Sequence, residues 1–147
     1  MKEQPPITKI THPVLSGIFQ RKRLFQLIES SRDRPVIWIS GPPGSGKTSL
    51  VASYIEAEQI PSLWYRVDEG DADIATLFYY MSLSSKKIAP LKRKPLPLFN
   101  QEHLHSIPTF AKRYFENFFS RLYNKTEFVI IFDNYQQVPL NQYFMTL

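Results

Sequence analysis

One short segment, Gly41-Pro42-Pro43-Gly44-Ser45-Gly46-Lys47-Thr48, constrains this chain more than anything else in it. It satisfies G-x-x-x-x-G-K-[ST] at every defined position. The pattern works only between a strand and a helix. Glycines supply the φ values that turn backbone N–H groups inward and let an anion come close. The helix that follows adds its free N–H groups and the positive end of its dipole. Both flanks fit. Val36-Ile37-Trp38-Ile39 is an apolar, β-branched run bounded by Pro35 and Gly41, and it reads as a strand buried on both faces. Lys47 to Glu58 reads as a helix with Leu50, Val51, Tyr54 and Ile55 inward, stopped by Pro61.

Each residue type has a chemical reason to be there. Lys47 brings a positive charge to the outer phosphates of a nucleotide, and the Thr48 hydroxyl suits Mg²⁺. Gly41, Pro42, Pro43, Gly44, Ser45, Gly46, Lys47, Thr48 and Ser49 are therefore the expected nucleotide-binding residues. The rival dinucleotide fingerprint fails, because Ser49 stands where its third glycine belongs. Downstream, Phe128-Val129-Ile130-Ile131-Phe132 reads as a buried strand that delivers Asp133 to the carboxyl edge of a sheet. A carboxylate there can hold the magnesium beside Thr48, directly or through water. Lys47 and Asp133 are thus the expected catalytic pair, and Thr48 and Asp133 the expected metal ligands.

The intervening sequence alternates in the same style. Arg21 to Ser30 places Leu24, Phe25, Leu27 and Ile28 on one helical face. Ser62 to Val67 reads as a strand, and the acidic turn Asp68 to Asp73 as the start of a helix carrying Ile74, Leu77, Phe78 and Met81. Residues 84 to 108, with Pro90, Pro95, Pro97 and Pro108, read as a loop. Phe110, Tyr114, Phe115, Phe118, Phe119 and Leu122 mark a last helix, whose aromatic stripe is core rather than a ligand box. This order predicts an α/β fold of three layers around a parallel sheet. Residues 1–13 read as an extended lead-in, and 14–147 as a single P-loop NTPase domain.

Composition removes other options. Hydrophobic residues make up 43% of the 147, enough for one core of ordinary size. The chain has no cysteine, so disulfides and thiolate metal sites are excluded. There is no signal-like apolar stretch and no apolar run of membrane-spanning length, so a cytoplasmic, membrane-free protein is expected, and Asn124-Lys125-Thr126 has little meaning as a glycosylation sequon. The net charge of +5 resides in Lys86, Lys87, Lys92, Arg93 and Lys94, a run without aromatic or glycine interleaving that reads as a solvated loop rather than a nucleic-acid contact. His103 and His105 lack partners for zinc. The acids from Asp68 to Asp73 fit either a second cation or helix-start electrostatics.

With these residues in hand, the chain resembles the STAND class of signalling ATPases, and within it the ATP-dependent transcriptional regulators typified by the maltose-regulon activator. Gln20-Arg21-Lys22-Arg23-Leu24-Phe25 looks like the Arg-x-Arg-Leu segment of that class. Trp64-Tyr65-Arg66-Val67-Asp68-Glu69-Gly70-Asp71 is similar to its second strand and acidic exit, and Phe132-Asp133-Asn134-Tyr135-Gln136-Gln137-Val138 to its magnesium-site strand. The resemblance implies adenine as the base, with Val14 and Leu15 beside it. Spacing alone does not exclude guanine, although Asn124-Lys125 is followed by Thr-Glu rather than completing the pattern of many GTPases. It also implies a nucleotide-controlled switch within a larger protein that regulates transcription. The class places a strand between the loop strand and the Asp133 strand, and adds a phosphate-sensing arginine, a winged-helix region, a repeat-type sensor and a DNA-binding helix-turn-helix. None of these is recognisable here. The expectation is therefore the N-terminal part of a domain, truncated after the Asp133 strand, with self-association or further domains as partners and no DNA-binding motif of its own. Asn134 stands where that class often has an acid. An amide orients water but accepts no proton usefully, so slow or absent hydrolysis is expected, a loss of about 10²–10⁴-fold. A stand-alone ATPase or small kinase, and a remnant without function, are the alternatives.

Overall fold

Helical spacing of apolar residues becomes helix at each place it occurs. The computed structural model describes residues 8–17, 19–88, 95–121 and 127–137. Along them run α1 (Lys22–Glu29), α2 (Lys47–Ala57), β1 (Ser62–Arg66), α3 (Ile74–Ile88), α4 (Ile107–Ser120) and β2 (Val129–Asp133), with short 3-10 turns between. The chain divides into two compact units, Met1–Thr11 with Ser62–Leu147, and His12–Pro61.

In the unit that holds both strands, β1 and β2 pair in parallel, from Ser62 opposite Val129 to Arg66 opposite Asp133. The Val67 N–H extends the ladder to the Asp133 carbonyl at 2.9 Å. A parallel pair needs a long crossover, and α3 and α4 lie within it. Leu63, Trp64 and Tyr65 are all buried, so β1 is covered on both faces. Ile74, Leu77, Phe78 and Met81 from α3 and Ile107, Phe110, Tyr114 and Phe118 from α4 close the core. Phe78 is its hub: its ring meets Phe110 and Tyr114 at 4.8 Å each and stacks on Phe99 at 5.4 Å.

Asp68, Asp71 and Asp73 of the acidic turn after β1 are all engaged within the fold. Asp68 and Asp71 form a capping box around a 3-10 turn at Glu69–Ala72, and Asp73 accepts from the Ala75 N–H at the head of α3. Asp71 is wholly buried. It accepts from the Tyr65 hydroxyl at 2.6 Å and from Lys9 Nζ at 2.8 Å. Lys9 also pairs with Asp68 at 2.7 Å, and its ammonium lies over the rings of Tyr65 and Tyr80. Asp73 thus serves the start of α3, while Asp68 and Asp71 serve the 3-10 turn and the buried Lys9. No group of three or more His, Cys, Asp or Glu side chains placed to hold a metal ion occurs among the described residues.

Several expectations change. Thr8–Ile10 is a 3-10 turn with Lys9 and Ile10 buried, not an extended lead-in. The stretch 84–108 is not one loop. α3 runs on to Ile88, a 3-10 turn spans Gln101–Ser106, and α4 begins at Ile107. Pro108 falls within the first helical turn, where no N–H is missed. β2 is half-buried rather than buried. Leu27 is exposed, so the inward face of α1 reduces to Phe25 flanked by Leu24 and Ile28. Most consequential is 36–39, which is irregular, with Val36 (73%), Ile37 and Trp38 (69%) exposed and Ile39 half-buried. An extended run becomes a strand when a neighbour's backbone completes its ladder, and the sheet among the described residues consists of β1 and β2 alone. The expectations for Lys92, Arg93, Lys94, Pro90, Leu122, Asn124-Lys125-Thr126, Val138 and residues 1–7 lie outside the described residues.

Candidate functional site

The loop is built inside the unit His12–Pro61. α2 starts at Lys47, as the motif requires, with Gly46 as its N-cap in the left-handed region at φ 79°. Gly44 is left-handed as well, at φ 76°. At these two positions a side chain would be strained, so the turn depends on glycine. The turn is closed by the Ser45 N–H donating to the Pro42 carbonyl at 3.2 Å, and α2 is entered through the Leu50 N–H to the Gly46 carbonyl at 2.9 Å. Gly41 has a different reason for lacking a side chain: a Cβ there would lie 3.0 Å from Ser45 Oγ.

Lys47 folds back over this turn. Its ammonium donates to the carbonyls of Gly41 at 2.8 Å and Pro42 at 3.0 Å. A cation therefore stands over the loop, held by neutral oxygens that a phosphate can outcompete. Gly41, Pro42, Pro43 and Gly44 are exposed, and Ser45, Gly46, Lys47, Thr48 and Ser49 are half-buried. Of the nine residues named from the sequence, Gly41 to Gly46 thus form an open turn, and Lys47, Thr48 and Ser49 begin the helix it leads into.

What supports that turn is less visible in the sequence. α2 ends in a Schellman arrangement, with Gln59 at φ 52° and the Ile60 N–H reaching the Ile55 carbonyl at 3.1 Å. Tyr54 on α2 meets Phe25 of α1 edge-on at 5.4 Å and donates its hydroxyl to Glu29. That hydrogen bond, together with Arg32, holds the Glu29 carboxyl below its ordinary value, while burial first and Glu29 second push the Tyr54 phenol up to about 12. α1 and α2 are thereby joined at their far ends. At the near end, Arg21 Nη1 donates to the Ser45 carbonyl at 3.0 Å. Arg21 escaped the sequence reading as a site residue. The available signal was the cluster Arg21, Lys22 and Arg23 at a helix start, where the dipole disfavours cations.

Asp133 ends β2 in the other unit, half-buried, with its Oδ1 accepting from the Asn134 N–H at 3.1 Å. Asn134 is left-handed at φ 60°, and its carbonyl accepts from the Gln137 N–H at 2.9 Å. Asparagine tolerates that conformation far better than most side chains. The amide at 134 therefore has a backbone reason to be there, one the sequence reading did not weigh.

No curated protein and no solved structure matches the chain. The model of the family described as Nephrocystin 3, N-terminal matches residues 15–134. That span takes in α1, the glycine loop, both strands and the turn at Asn134, and the chain belongs to this family.

Proposed function

We propose that the protein binds ATP with Mg²⁺ through the loop from Gly41 to Ser49 and serves as a nucleotide-controlled switch within a larger signalling assembly. One observation carries the reading: the Lys47 ammonium sits on the Gly41 and Pro42 carbonyls, above a turn with two left-handed glycines, at the head of α2. Polyphosphate is the ligand this chemistry suits. Backbone amides and a helix start meet its oxygens, and Lys47 exchanges two carbonyls for a charged partner. The Thr48 hydroxyl would meet the metal, which neutralises phosphate charge when bound. The finer likeness to STAND-class transcriptional regulators, a three-layer P-loop fold, adenine as the base, a cytoplasmic location and partnership with further domains or a second copy all belong to this proposal. Among the described residues no helix is long and apolar enough to cross a membrane.

Asn134 bears on turnover. It is a poor proton acceptor, so binding with slow or no hydrolysis is proposed, and turnover above about 10 s⁻¹, the level of a median enzyme, would contradict it. The exposure of Val36 and Trp38 favours a second reading, a remnant that no longer binds nucleotide. Thermal unfolding with and without MgATP separates the two, since ligand at 100 times Kd stabilises a binder by about 2.7 kcal/mol. No shift supports the remnant.

A further inference from the structure

Arg21 is the N-cap of α1, yet its side chain makes no capping hydrogen bond. It reaches instead to the phosphate loop, with Nη1 3.0 Å from the Ser45 carbonyl. Its Nη2 lies 2.8 Å from the point where a Cβ on Gly46 would stand. The guanidinium is therefore laid against the Ser45–Gly46 peptide. That peptide is planar and trans, with its carbonyl and its N–H pointing opposite ways. Holding the Ser45 carbonyl toward Arg21 thus directs the Gly46 N–H away from it. Gly46 is also the N-cap of α2, so this N–H is among the donors that the helix itself leaves without an acceptor.

We infer that Arg21 is a positioning residue of the loop: through the Ser45 carbonyl it aims the Gly46 amide for phosphate, and it ties the loop's affinity to the placement of α1. The inference rests on the nucleotide-binding reading above. A methyl on Gly46 would meet this guanidinium and displace it from the loop. The fork matters as much as the charge. A lysine can donate to the carbonyl but brings no second nitrogen to Gly46.

The test uses the full chain as wild type, Arg21→Ala, Arg21→Lys and Lys47→Ala. In the nucleotide-free protein, Arg21→Ala should displace the Gly46 amide resonance and speed its hydrogen exchange while the unfolding midpoint stays in place. In titrations, Arg21→Ala should weaken MgADP and MgATP about tenfold, the worth of one charge-assisted contact. AMP should be affected less, and Arg21→Lys should recover part of the loss. A general loosening of the fold would lower the midpoint and weaken all three nucleotides alike, and would overturn the inference. So would a Gly46 resonance that does not move. Wild-type binding that Lys47→Ala loses and Arg21→Ala keeps overturns the inference alone. No MgATP binding by the wild type overturns it together with the reading beneath it.

Discussion

Val36-Ile37-Trp38-Ile39 and Val129-Ile130-Ile131-Phe132 both open with Val-Ile and continue with two large apolar residues, and the protein treats them differently. The second run is β2, paired along its length with β1. The first is irregular, with Val36 and Trp38 in solvent. Apolar, β-branched composition is common to both, so composition does not decide which one is a strand. What differs is a neighbouring backbone that completes the ladder. The two units repeat the contrast. One packs interlocked aromatic rings around β1, with β2 half-buried beside it. The other supports an open turn on two short helices, joined through Phe25, Tyr54, Glu29 and Arg21.

If that contrast is sound, mutations should divide along it. Phe78→Ala removes the ring that Phe99, Phe110 and Tyr114 share and should cost about 3–5 kcal/mol in urea unfolding. Val36→Ser should change stability by about 0.5 kcal/mol or less. Equal effects would show that 36–39 is packed in solution after all. Lys9→Met leaves the Asp71 carboxylate buried beside Tyr65 without its cation, a loss of about 3–5 kcal/mol. Adding Asp71→Asn should restore much of it, and a double variant as unstable as the single would show that the ammonium mainly packs. Lys47→Ala should reverse the pattern, leaving unfolding unchanged while MgATP affinity measured by calorimetry drops about 10- to 100-fold.

The smallest expected effect is one of pH. Asp68, held low chiefly by its hydrogen bond from Lys9, and Glu29, held low chiefly by that from Tyr54, have folded values below their ordinary 3.8 and 4.5. A depressed carboxyl contributes stability above its unfolded value and loses it as pH falls through the folded one. Both units should therefore weaken as pH drops below about 4, in the range of these ordinary values. At the other extreme, burial raises the phenols of Tyr54 and Tyr114 to about 12, and that of Tyr65 further still. A raised group contributes below its unfolded value of 10.0 and is lost as pH climbs through the folded value. Absorbance titration should show these three tyrosines ionising late, at or with alkaline unfolding. Normal titration of all eight would contradict the burial described here.

Local chemistry was readable from the letters. Ile74, Leu77, Phe78 and Met81 announced their shared face by spacing, and Gly44 and Gly46 announced a turn by type. Both readings depend on residues within a few positions of one another. Long-range pairing was not readable in the same way. Nothing near Val36 reports whether a strand lies beside it, nothing in the lead-in reports that Lys9 finds Asp71, and Pro108 could equally have been loop. Arg21 belongs with these, since its carbonyl partner lies 24 residues away.

Lys9 carries a last consequence, concerning the order of events during synthesis. A growing chain releases this ammonium 62 residues ahead of the carboxylate that will hold it. The whole of His12–Pro61 emerges in between, with time to organise before its host is finished. The segment that carries Lys9 must wait, still solvated, until Asp71 and Tyr65 have left the ribosome. The strand-bearing unit is therefore closed late by a residue made well before its strands, and closing that long loop should make its assembly the slower of the two.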